Sequence, residues 1–181
     1  MPSLLICGLT DSKYGGAYYN MGIAYYRLKK YNKAIAAYKK AIEIDPEDNF
    51  SKMNLAEANF MAEHFNHAFV LANDLLKEKN ISTQHILAMR FISIGSLVFQ
   101  GKSAKAVDEL KDFIKFYRSI PGEYERGWTY TSTKEFITGN KKLAPEQRKL
   151  LLQLVDLLES PKEKGDKKLK QLETAIRDIF K

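Results

Sequence analysis

The feature that most restricts this chain is a register that returns. Residues 17–46 read AYYNMGIAYYRLKKYNKAIAAYKKAIEIDP. Met21, Ala24, Tyr31, Ala34, Tyr38 and Ala41 come back, at one constant offset, as Leu55, Ala58, Phe65, Ala68, Ala72 and Leu75. At the same offset Gly22 becomes Ala56 and Tyr25 becomes Asn59. With a four-residue insertion around Lys79–Thr83, Ala68 and Leu75 return again as Ala106 and Phe113, and Leu110 takes the place of Tyr38. The insertion lengthens either the connection or the first helix of the third unit, and Gly101-Lys102 forms its turn. A unit this short cannot bury its apolar face alone, so a returning register demands units stacked on one another.

Within the unit the spacings are helical. Tyr18, Met21, Gly22 and Tyr25 fall at i, i+3, i+4 and i+7, one stripe that faces a second helix. Gly22 and Ala34 remove bulk where two antiparallel helices approach, and Tyr31 fills the corner between them. Pro46 lacks an N–H and disfavours helix before it, so the second helix stops near Ile44. These eight positions, Tyr18, Met21, Gly22, Tyr25, Ala34, Tyr38, Ala41 and Pro46, resemble the tetratricopeptide repeat, with Tyr18 for its Trp and Met21 for its Leu. The resemblance implies an all-α protein of three antiparallel helix-turn-helix repeats, about 15–48, 49–82 and 83–117, stacked as a right-handed α–α superhelix. An N-terminal tail, 1–14, precedes them. A connector, 118–131, and a C-terminal helical extension, 132–181, follow.

The extension reads as a cap. The connector holds Pro121-Gly122 and lacks helical periodicity, and its Trp128 and Tyr130 are expected to anchor it on the last repeat. Ser132 and Glu135 form a capping box for a short helix that Gly139 closes. Pro145 opens a helix whose Leu150, Leu151, Leu152, Leu154, Val155, Leu157 and Leu158 cover more than one face, so it should be buried. Ser160 to Glu163 form a second box, before a last helix with Leu169, Leu172, Ile176, Ile179 and Phe180 along one side; Gly165 weakens its start. Lys162, Lys164, Lys167, Lys168 and Lys170 give that helix the polar outer side a terminal cap needs. A dimerisation helix, or one that fills the array's groove, is the alternative role.

Composition excludes more than it assigns. Over 181 residues, 45% are hydrophobic and 12% aromatic, too many for a disordered chain. The single cysteine, Cys7, rules out a disulfide framework and has no fixed His partner for a catalytic thiol. No apolar run is long enough to span a bilayer, and Leu4–Leu9 is too short and lacks a preceding cation to read as a signal peptide. The expected setting is reducing and cytoplasmic. A net charge of +7 fits a solvated surface; nucleic-acid binding is the lesser reading, with no RNA-binding or zinc-finger spacing to support it. His64 and His67 form H-x-x-H, but flank a turn with no third ligand near, and His85 is isolated. No phosphate loop, nucleophile elbow or dinucleotide fingerprint occurs, so neither an enzyme, a metal nor a cofactor is expected.

The resemblance implies a protein-interaction module, an adaptor or scaffold whose first helices line a concave groove. Rotation away from the packing stripe places Tyr19, Asn20, Ile23, Tyr26 and Arg27 there in the first unit. Met53, Asn54, Glu57, Phe60 and Met61, with Phe50 one turn earlier, are their counterparts in the second, and Ala88, Phe91, Ile92 and Gly95 in the third. Relatives that hold acidic chaperone tails use a clamp of Lys, Asn, Asn, Lys and Arg. Tyr19 and Ile23 stand where its first Lys and Asn belong, and only Asn54 matches. The expected ligand is therefore an apolar peptide or helix, with Asn20 and Asn54 bonding its backbone. A self-assembling module using the groove or the C-terminal helices, hence a homo-oligomer, is the alternative.

Overall fold

A computed structural model describes the backbone of residues 3–121, 130–160 and 162–179. Side chains are described within these ranges except at 3–13, 162–164, 166 and 177–179. Trp128, Cys7, Lys162, Lys164, Ile179, Phe180 and the second capping box beyond Ser160 therefore lie outside the described side chains. All regular structure among the described residues is helical. The chain divides into two compact units, Met1–Leu75 and Leu76–Lys181.

The first unit holds α1 (Ser3–Arg27), α2 (Tyr31–Ile44), α3 (Asn49–Met61) and α4 (Phe65–Leu75). The backbone of 3–14, expected as a tail, is continuous with α1. Gly22 is where α1 and α2 meet: a methyl group added there would run into the Tyr38 ring, which is itself 2% exposed. Ala34, Ile35 and Tyr38 of α2 form one cluster with Leu55 and Ala58 of α3. Asp48 starts α3 by accepting the Ser51 N–H at 3.1 Å. Met21 departs from expectation. Although on the same stripe as Gly22, it lies to one side of the contact with α2 and is 38% exposed.

The second unit holds α5 (Thr83–Phe99), α6 (Ser103–Ser119), α7 (Thr131–Gly139), α8 (Pro145–Leu158) and α9 (Lys162–Ile179). Here α5 is apolar nearly all round, and Leu87 to Val98 are buried apart from Arg90, which lies over the Phe116 ring. Leu150, Leu151, Leu154, Val155 and Leu157 of α8 are fully buried, each worth about 1.5–3 kcal/mol if taken from water to core. Lys134 of α7 reaches Asp156 of α8 and Glu159, the residue that caps its end, at 2.8 and 2.6 Å. The capping box at Ser132 does not form: α7 begins two residues earlier, after Tyr130, without a side-chain cap. Pro145 is the first residue of α8, and Gln147 accepts the Ala144 N–H at 3.0 Å. Gly165 has a packing reason that periodicity does not reveal: a Cβ there would strike the Tyr117 hydroxyl. Farther along α9, Glu173 pairs with Arg118 of α6 at 2.8 Å.

The repeat is most visible in the backbone of the turns. Lys29, Glu63 and Gly101 have φ of 56°, 61° and 69°, and are separated by the same two offsets that the side chains follow. Each is the left-handed residue of one recurring helix end. Its N–H and the next residue's close back on the helix: Lys29 to Tyr26 and Lys30 to Tyr25, Glu63 to Phe60 and His64 to Asn59, Gly101 to Val98 and Lys102 to Leu97. Since α3 has 13 residues and α5 has 17, the insertion forms one added turn of α5.

Candidate functional site

In the first unit, the side of α1 that carries Tyr19, Asn20, Ile23, Tyr26 and Arg27 adjoins α3. The joint is Tyr26, whose hydroxyl donates to Glu57 Oε1 at 2.8 Å. Burial first, then the Glu57 carboxylate, push the Tyr26 phenol well above its usual range, so it stays protonated as donor. Burial and the same carboxylate also raise Tyr38. Tyr19 tilts against the Tyr38 ring, with centroids 6.2 Å apart. Tyr19, Ile23 and Tyr26 are half-buried against the α2–α3 cluster, whereas Asn20 and Arg27 are exposed.

The sequence-predicted residues divide sharply. Asn54 and Glu57 are partly accessible, and Phe50 is 60% exposed. Met53, Phe60 and Met61 are core instead, at 3%, 1% and 4% exposure. The reason is plain for Phe60: its ring meets Phe65 edge-on at 5.6 Å, as Tyr26 meets Tyr31 at 5.3 Å. Both pairs fill hairpin corners, and their recurrence at the repeat offset is a sequence signal for that role. Ala88, Phe91 and Ile92 are likewise buried, with Gly95, so the third unit contributes no open face there. Tyr130 covers Phe91 edge-on, centroids 5.7 Å apart, and so anchors the connector as expected.

Elsewhere in the second unit, Lys111, Ile114, Lys115, Arg118, Glu173 and Ile176 line a cleft of about 570 Å³, which holds none of the predicted residues. His64 and His67 stand edge to face at 6.4 Å, and among the described residues no three of His, Cys, Asp and Glu come together. No helix among them is long and apolar enough to cross a membrane.

The tetratricopeptide repeat family model matches residues 16–48, which span the repeat part of α1, all of α2 and the turn before α3. The chain carries a tetratricopeptide repeat. No curated protein and no solved structure matches it. Tetratricopeptide repeats are non-catalytic and generally bind other proteins.

Proposed function

We propose that the tetratricopeptide repeats act as an adaptor, holding a peptide or helix of another protein on the joined face of α1 and α3. One observation carries the reading. Asn20 and Asn54, one repeat apart, both keep access to solvent beside the apolar Ile23 and Phe50, while the Tyr26–Glu57 bond fixes the helices that bear them. Two amides at that spacing suit the backbone of an extended or helical ligand, and the apolar side chains between them suit its side chains. Helical repeats stacked as a right-handed superhelix would make this face concave.

The test uses the full chain as bait, with the partner identified by mass spectrometry and then titrated in purified form. Asn20→Ala with Asn54→Ala and Phe50→Ala should weaken binding at least about tenfold without moving the melting temperature, since these groups touch little of the core. Lys39→Ala, on the exposed side of α2, should bind normally. Equal affinity of the triple variant for the purified partner would remove the α1–α3 face from consideration.

A further inference from the structure

The two hairpins of the first unit differ on one side of their first helices. Ser51, Leu55 and Ala58 of α3 are buried, and Leu55 and Ala58 share a cluster with Ala34, Ile35 and Tyr38 of α2. Their counterparts one repeat earlier, Ala17, Met21 and Ala24, are exposed, as is Leu28 at 63% against half-buried Ala62. The side by which α3 receives the preceding hairpin is thus bare on α1. A helix face left in solvent is ordinarily polar. This one turns out Tyr14 at 60%, Met21 at 38% and Leu28 at 63%. They are three of the five large apolar side chains exposed among the described residues; Phe50 and Val70 are the others.

We infer that this stripe is a self-association surface, on which α1 of a second copy packs. The spacing supports that occupant. Tyr14, Ala17, Met21, Ala24 and Leu28, all exposed, follow steps of three and four, the seam of two helices crossing at about 20°. No member of the seam is charged, so the same face on another copy meets it without like-charge repulsion. Among the described residues no other helix exposes an apolar line of matching length. A two-fold axis through the seam closes the assembly at a dimer, with Met21 of one copy opposite Met21 of the other. The groove residues Ile23, Asn20 and Arg27 lie on other lines of α1, so the dimer and the adaptor reading stand or fall separately.

Light scattering on the full chain, across a wide range of concentration, tests this directly. The unmodified protein should have twice the chain mass. Met21→Glu with Leu28→Glu should give a monomer of unchanged helical circular dichroism, and Phe50→Glu, off the stripe, should remain dimeric. A second arm does not depend on the charged variant folding: Met21→Cys in a Cys7→Ser background should form a disulfide-linked dimer under mild oxidation. A protein monomeric throughout, a dimer that survives the double variant, or a Met21→Cys chain that never cross-links overturns the inference.

Discussion

The first and third hairpins share a turn and differ in what becomes of the helix before it. Lys29 and Gly101 occupy the same left-handed position with the same backbone bonds. Yet α1 keeps Asn20, Arg27 and Met21 in solvent, while α5 buries every residue but Arg90 between Leu87 and Val98. The difference lies in composition and in what packs against each helix. On α1, Asn20 and Arg27 share one arc, whereas the ISIGSLVF stretch of α5 holds no charged residue at all. Tyr130, α6 and α8 pack around α5. One position in a repeat thus stays open in one hairpin and becomes core in another. The repeat motif fixes the turn, and the rest of the sequence fixes the use.

The largest expected effect would come from exchanging those uses. Phe91→Ala should cost about 3–5 kcal/mol, because a ring 2% exposed leaves a cavity beside Tyr130. Phe50→Ala should stay within about 0.5 kcal/mol. Urea denaturation of the two variants measures both, and equal losses would break the contrast.

Alkali should sharpen it next. Tyr26 and Tyr38 of the first unit are held neutral above their usual 10.0. Above that pH the unfolded phenols lose protons that the folded ones keep, so stability falls as pH rises, by roughly 1.4 kcal/mol per pH unit for each group. Well below that pH the contribution is complete. Tyr26→Phe should flatten the alkaline fall by one group's share, read from melts followed at several pH values. An unchanged slope would mean that Glu57 and burial do not govern that phenol.

The smallest effect concerns the shared turn. Lys29→Gly and Glu63→Gly should each stabilise by roughly 0.5–1 kcal/mol, since a left-handed backbone strains a residue with a Cβ. Gly101→Ala should destabilise by a similar amount. Opposite signs at equivalent positions are the measurement to make, by thermal melts of the three single variants.

Much of this fold is legible in sequence because repeats state their constraints more than once. Ala34 and Ala68, Tyr31 and Phe65, and the stop at Ile44 all follow from local geometry. The binding face is harder to read, since angle around a helix says which way a residue points and not what stands there. Phe60 and Met61 point as expected and meet other parts of the fold; Tyr26 faces a carboxylate on the next repeat. The third unit is least legible. Its corner aromatics are replaced by Val98 and Ser103, and what buries Phe91 comes from Tyr130, far along the chain.

The added turn of the third hairpin has a partner in the lengthened α6. Ile44, the last residue of α2, corresponds to Phe116, and α6 continues to Ser119. The overhang carries Tyr117 and Arg118, the two side chains that meet Gly165 and Glu173 of α9. The hairpin grows at its open end, away from the turn, and what grows there is a berth. Length in this protein comes in whole turns because a turn leaves the earlier contacts in phase. The third hairpin and α9 are thus coupled in length: trimming the end of α6 would strip α9 of its contacts with Tyr117 and Arg118.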